Sequence, residues 1–252
     1  RDEGAEVIVV DDCSTDDSSE IISRFPCTLL AFDRHAGAGA ARNAGAQRAK
    51  GEYLFFIDAD CILLDGTLAA VRKAISIHTD AVIGGTYTLL PADSDFFSTF
   101  QSVFIHYHET CSPVPDYVAS HAMVISADAF RTIGGFPELF LPMIEDVELS
   151  HRLRRAGYRL IMVPDIQVRH IFGFSLRRSL VNAFRKSQHW TRYSLHHGDI
   201  FADSGTASRG LKVNVMAFLA TCLIALSAAV TGSAVTVSYT HLRAHETGRK
   251  LV

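Results

Sequence analysis

The chain has 252 residues, 48% of them hydrophobic and 20% charged, enough for one large α/β domain or two small ones and too apolar for a disordered tail. Lysine and arginine number 24 against 27 acids, a net charge of −3, which offers nucleic acid no general basic surface. The five cysteines are an odd number without a CxxC pair, which excludes a disulfide framework and a zinc site of that kind.

Residues 1–6 are polar, and 7–10 read at once as a buried strand. With no start methionine and no signal peptide before it, the expectation is a fragment whose first strand has been cut away. Residues 11–19, rich in Asp and Ser, lead into a helix over 20–25. A second strand is expected over 28–32, an Ala- and Gly-rich helix over 37–49, and a third strand over 53–57. That third strand is apolar throughout, as a strand covered on both faces is. A helix over 66–78 and a strand over 81–90, broken by Gly84-Gly85, complete a β-α-β-α-β alternation that argues for a parallel α/β sheet. Then come a helix over 96–108, a strand over 123–126 and a short helix over 127–133 stopped by Gly134-Gly135. A helix over 145–156 stopped by Gly157 and strands over 159–163 and 167–170 complete the domain.

Mean hydropathy is +0.16, high for a soluble chain. Much of the surplus lies in residues 213–237, which hold no Asp, Glu, Lys, Arg or His and are expected to form a transmembrane helix. Arg209 and Lys212 before it place the preceding domain in the cytoplasm by the positive-inside rule. Residues 166–198 contain no acid but six basic residues, Arg169, Arg177, Arg178, Arg185, Lys186 and Arg192. Leu176, Leu180, Phe184 and Leu195 fall between them near helical spacing. Such a segment, 173–212, is expected as an interfacial helix beside acidic lipid headgroups. The tail, 238–252, contains SYTHLRAHET, which resembles adapter read-through and is expected to be non-native.

Two carboxylates, Asp58 and Asp60, follow the apolar strand 53–57. Open α/β sheets bind ligands at the carboxyl ends of their strands, and a hard divalent cation would relieve the repulsion of the two acids and hold a diphosphate. A polar turn is the alternative. The first strand ends in Asp11 and Asp12; Asp11, Ser14 and Thr15 can cap a helix, while Asp12 can accept hydrogen bonds from a nucleobase or ribose. The segment 37–42, GAGAAR, departs from the dinucleotide fingerprint because Arg42 takes the third small position and no ribose-binding acid follows; Arg42 and Asn43 remain candidate anion and ribose contacts. Gly134-Gly135-Phe136 precede the pair Glu145-Asp146, which opens a helix. Favourable placement in the helix dipole explains that pair as well as a general base does.

The stretches VIVVDDCSTDDSSEII, GAGAARNAGAQRAKGEYLFFIDAD and ISADAFRTIGGFPELFLPMIEDVELSHRLRRAGYRL resemble the inverting glycosyltransferase family 2, over about residues 6–170. The resemblance implies an α/β GT-A fold with a mostly parallel sheet flanked by helices, a nucleotide-sugar donor, and Mg2+ or Mn2+. By this likeness Asp11 and Asp12 stand on the donor side, Asp12 at the base. Asp58 faces the ribose or diphosphate, Asp60 ligates the metal, and His170 stands beside the diphosphate as a second candidate ligand. Gly134, Gly135, Phe136 and Glu145 lie on the acceptor side, and Asp146 deprotonates an acceptor hydroxyl. Processive members carry Q-x-x-R-W; Gln188, Trp190 and Arg192 do not keep that spacing, so a non-processive enzyme acting on a lipid-linked or cell-surface glycan at the inner or plasma membrane is expected. The competing readings are a sugar-phosphate nucleotidyltransferase, which normally opens with a Gly-rich signature, and a non-catalytic membrane-tethered module that binds nucleotide-sugar.

Overall fold

A computed structural model of the protein describes residues 4–93, 95–138, 143–197 and 209–231. The described residues up to 197 belong to one compact unit, and 209–231 to a second. In the first, β1 (Ile8–Asp11), α1 (Ser18–Ser23), β2 (Thr28–Ala31), α2 (Ala38–Arg48) and β3 (Tyr53–Ile57) follow the expected alternation. Next come β4 (Cys61–Leu63), α3 (Thr67–Ile77), β5 (Ala81–Tyr87), α4 (Phe96–Thr110), β6 (Ala122–Ser126) and α5 (Ala127–Ile133). The unit closes with α6 (Glu145–Arg155), β7 (Arg159–His170) and α7 (Leu176–His197).

Local chemistry sets these limits. Asp95 caps α4 by accepting from the amides of Phe97 and Ser98, and Ser126 caps α5 by accepting from the Ala129 amide. Gly134 ends α5 in the left-handed conformation at φ 84°, where a side chain would be strained.

The expectation of a mostly parallel sheet is corrected. The described strands form a two-stranded sheet, β1-β2, and a five-stranded sheet in the order β3-β6-β5-β7-β4. Only β1–β2 and β5–β7 run parallel; β3–β6, β5–β6 and β4–β7 are antiparallel. The connection through α4 brings the chain back to the end of the sheet where β5 finishes, so β6 runs down again between β5 and β3. Two further differences follow from pairing that no local pattern reveals. The short strand β4 was not expected, and β7 is one strand where two were expected.

Every residue of β5 is buried, between clusters built on Leu54, Met123, Phe130 and Leu149 and on Val71, Ile83, Val124 and Ile166. The expected break at Gly84-Gly85 is a register shift against β7. A Cβ on Gly85 would lie 2.4 Å from the Ile166 carbonyl oxygen, a backbone atom that cannot swing aside. Gly85→Ala is therefore expected to cost ~1–3 kcal/mol, by analogy with overpacking, and to lower the melting temperature by ~2–4 °C for each kcal/mol lost. An unchanged melting curve would refute this account of the pair.

The expected transmembrane helix over 213–237 is also corrected. Among the described residues no helix is long and apolar enough to cross a membrane. Helix α8 (Arg209–Thr231) carries Arg209 and Lys212 in its first turn, and its uncharged stretch is interrupted by Asn214, Thr221 and Ser227. Residues 198–208, the 232–237 part of the expected span and the tail over 238–252 lie outside the described residues.

Candidate functional site

Strand β3 delivers Asp58 and Asp60 to one end of the five-stranded sheet. The Cys61 amide donates to the Asp58 carbonyl at 3.0 Å and closes a tight turn into β4. Because β4 pairs with the end of β7, Cys61 opposite His170, Asp60 falls beside His170. The Ile171 amide donates to the Asp60 carbonyl at 2.9 Å, and His170 Nε2 lies 3.3 Å from Asp60 Oδ2. The His170 imidazole is held between rings, stacked on Phe172 at 4.0 Å and edge-on to Tyr87 at 5.0 Å.

Ligand atoms of Asp60, Cys61 and His170 lie within 4.8 Å of one another. Burial pushes the Cys61 thiol far up, so it stays protonated and is a poor ligand at neutral pH. The hydrogen bond with His170 holds the Asp60 carboxyl below its usual range, so it is ionised. His170 Nδ1 is buried without a hydrogen-bond partner, so no second contact fixes the proton on Nδ1. One carboxylate oxygen and one imidazole nitrogen, open to further oxygen ligands, suit Mn2+ or Mg2+.

Arg42 on α2 joins this turn to the second acidic pair. Its Nη2 donates to Asp58 Oδ1 at 2.6 Å and its Nη1 to Glu145 Oε1 at 2.7 Å, while the guanidinium lies 5.4 Å from the centre of the Phe136 ring. Both terminal amino groups are thus engaged by carboxylates. Glu145 is buried, and its Oε2 has no hydrogen-bond partner.

Asp146 opens α6 next to Glu145. The Val147 amide donates to its Oδ1 at 2.8 Å and the Ser120 amide to its Oδ2 at 3.3 Å. Burial first, then the neighbouring Glu145 carboxylate, push its pKa up to about 6, against the pull of Arg42 and the two amides. A carboxylate poised there can take a proton from a hydroxyl near neutral pH.

The other expected site residues sit nearby with their polar atoms already engaged. Asn43 Nδ2 donates to the Phe136 carbonyl at 2.9 Å and to Glu138 Oε1 at 2.8 Å, and its Oδ1 accepts from the Phe136 amide at 2.8 Å. It therefore pins the Gly134-Gly135-Phe136 turn, where Gly135 has φ 69° and a Cβ would lie 2.5 Å from Asn43 Oδ1. Asp12 accepts from the Ala36 and Gly37 amides at 2.7 and 2.8 Å and pairs with His35, so it ties the β2–α2 loop. Asp11 accepts from the Ser14 amide at 2.9 Å and from the Ser19 hydroxyl. Those serine contacts hold its carboxyl below the usual range. A cleft of about 670 Å3 borders α2 between Phe32 and Glu138, and apart from Glu138 none of the acids described above lines it.

Three residues at this end of the sheet escaped the sequence reading: Ser120, His121 and Glu109. The β3–β6 register, Ile57 opposite Ala122, sets His121 across from Asp58 and the Ser120 amide against Asp146. Only that pairing could have found Ser120 and His121; Glu109 comes from α4, where the Thr86 hydroxyl of β5 donates to it.

The sequence profile of Glycosyl transferase family 2 matches residues 1–128, half of the chain. The glycosyltransferase GlyG of Streptococcus pneumoniae serotype 4 is 34% identical over 98 residues, 36% of this chain and 33% of that protein. The pre-mycofactocin glycosyltransferase of Mycobacterium tuberculosis is 28% identical over 188 residues, 69% of this chain and 39% of that protein. The chain thus spans between a third and two fifths of these relatives. Among solved structures, the mannosyltransferase PcManGT from Pyrobaculum calidifontis, in complex with GDP-Man and Mn2+, superposes with a TM-score of 0.59. It shares 22% identity over 89% of this chain and 70% of that one. TarS of S. aureus in complex with UDP-GlcNAc gives 0.51 and 20% over 69% of this chain and 51% of that one. At these identities the likeness is one of fold, the α/β fold of GT-A glycosyltransferases.

Proposed function

The chain belongs to glycosyltransferase family 2, and on that premise we propose that it is the catalytic part of a metal-dependent inverting glycosyltransferase that moves a sugar from a nucleotide-sugar donor to a hydroxyl acceptor. The observation that carries the proposal is the Asp58–Arg42–Glu145 bridge. It joins the Asp58-Ala59-Asp60 turn, where a diphosphate and its cation would sit, to Asp146, whose pKa of about 6 suits a base. The donors named in the PcManGT and TarS complexes, GDP-Man and UDP-GlcNAc, and the Mn2+ of the former support a nucleotide-sugar and a divalent cation here.

In this reaction Asp60 and His170 would hold the cation, which supplies Lewis-acid neutralisation of the departing diphosphate. Asp146 takes the proton of the acceptor hydroxyl as its oxygen bonds to the anomeric carbon. The bond from that carbon to the diphosphate breaks on the opposite side, its electron pair leaving with the diphosphate, so configuration inverts. Arg42 keeps Asp58 and Glu145 fixed and lowers the cost of gathering these acids in one cleft. Asn43 holds the Gly134-Gly135-Phe136 turn that walls the acceptor side.

A lipid-linked or cell-surface glycan acceptor at the cytoplasmic face of the membrane fits helix α7. Its Leu176, Leu180, Val181 and Phe184 are exposed among Arg177, Arg178, Arg185 and Lys186, the pattern of a helix lying on anionic lipid. The test is a panel of nucleotide-sugars with Mn2+ and detergent-dispersed or soluble glycan acceptors. Nucleoside diphosphate release from one donor, dependent on both cation and acceptor, is expected. Release of pyrophosphate from a sugar phosphate and a nucleoside triphosphate would instead identify a nucleotidyltransferase.

A further inference from the structure

Behind the residues of the proposed transfer lies a buried charged pair that it does not use. His121 stands at the entry to β6 with 7% of its side chain exposed, and Glu109 on α4 has 9%. Their atoms Nε2 and Oε2 lie 3.5 Å apart, an ion-pair distance, and His121 Nε2 makes no hydrogen bond. The Thr86 hydroxyl donates to the same Glu109 oxygen at 2.8 Å and fixes it. The Tyr87 ring stacks on the imidazole at 3.9 Å between centroids and 21° between planes.

The charges facing His121 are known from each element packed around it. Asp58 comes from the end of β3, Asp60 from the turn before β4, Glu109 from α4 and Asp146 from α6. Tyr87 of β5 is neutral, since burial pushes its pKa well up, and His170 of β7 lies on the edge of the same ring. Glu145 and Arg42 stand one step further out. Asp58, Glu145 and Asp146 thus share the Arg42 guanidinium, with Glu109 buried behind them, and burying carboxylates without matching cations is expensive.

We propose that His121 is the second counter-charge of this cleft, a buried imidazolium paired with Glu109 that keeps Asp146 ionised and aligned. It is a positioning residue, buried beneath the acids it offsets, and its neighbour Ser120 carries its alignment to Asp146 through the backbone amide. Burial opposes the charge on His121, but Glu109 first, then Asp58 and Asp146, outweigh it, and its pKa stands above the ordinary histidine value. The effect on catalysis rests on the reading of Asp146 as base; the charge state of His121 does not.

The experiment has two arms on the full chain. In the first, protein labelled with 15N-histidine is titrated by NMR, and the His121 signals are assigned by their loss in His121→Gln. A doubly protonated imidazole persisting above the pH at which an ordinary histidine titrates, and losing its proton at lower pH in Glu109→Gln than in the wild type, is expected. A wild-type His121 that titrates at or below the ordinary histidine value would overturn the proposal, even if His121→Gln failed to fold. In the second arm, the acidic limb of the kcat/KM profile in His121→Gln is expected to move up by about one pH unit, because a cation near Asp146 has been removed. An unmoved limb with a merely lowered melting temperature would reduce His121 to packing. Should Asp146→Asn retain activity, the base assignment fails while the NMR result on His121 stands or falls alone.

Discussion

Asp146→Asn is expected to lower kcat by ~10²–10⁴-fold, the range that a positioned general base contributes. Nucleoside diphosphate and nucleotide-sugar binding should stay within about twofold of wild type, because in the proposed reaction Asp146 serves the acceptor while Asp60 and His170 would hold the cation at the diphosphate. The measurement is turnover at saturating donor beside calorimetric titration of the nucleoside diphosphate; equal loss of both would reject the role of base. The sign of the pH dependence follows from the same geometry. Burial and Glu145 raise the Asp146 pKa to about 6, so the base is ionised above that pH and protonated below it. Activity should be flat above about pH 7 and fall about tenfold per unit below pH 6. Glu145→Gln removes the neighbouring negative charge and frees Arg42, so its acidic limb should shift to lower pH, opposite in direction to that of His121→Gln.

The second large effect is expected at Asp60. Asp60→Ala removes one of the two groups proposed to hold a divalent cation, and with it the proposed neutralisation of charge on the leaving diphosphate, a contribution of several kcal/mol. Transfer should fall about 10³-fold, and donor binding should lose its response to Mn2+. His170→Ala should weaken the Mn2+ response in the same direction. Asp58→Asn should act differently, since Asp58 accepts from Arg42 at 2.6 Å and its loss disturbs Glu145. The readout is donor affinity with and without Mn2+; a Mn2+ dependence unchanged in Asp60→Ala would remove Asp60 from the ligand set.

Much of this was legible one residue at a time. The apolar run 53–57 is so continuous that only a strand covered on both faces suits it, and acids directly after it must stand at a strand end. The left-handed Gly134 and the Asp95 and Ser126 caps mark helix limits that local backbone chemistry alone decides. What stayed hidden was strand pairing. Sequence alternation suggested parallel neighbours, yet β6 inserts antiparallel between β3 and β5, and that register carries His121 and Ser120 to the acids. The partners of Arg42, 16 and 103 residues away, were equally invisible; Arg42 read as an anion contact because an unpaired guanidinium at a helix start is one. Asp12 and Asn43 read as ligand contacts for the same reason, and in the fold their polar atoms hold loops.

By itself the sequence determined the element types, the acids at the ends of β1 and β3 and at the start of α6, and the likeness to glycosyltransferase family 2, because each depends on residues close in the chain. Tertiary structure decided which acids face one another and which charges offset them. The Asp60–His170 pair and the Arg42 bridge span elements far apart in sequence, the Glu109–His121 pair joins two successive elements that only the fold sets face to face, and whether a carboxylate serves as ligand, base or loop tie depends on the neighbours that pairing and burial bring to it.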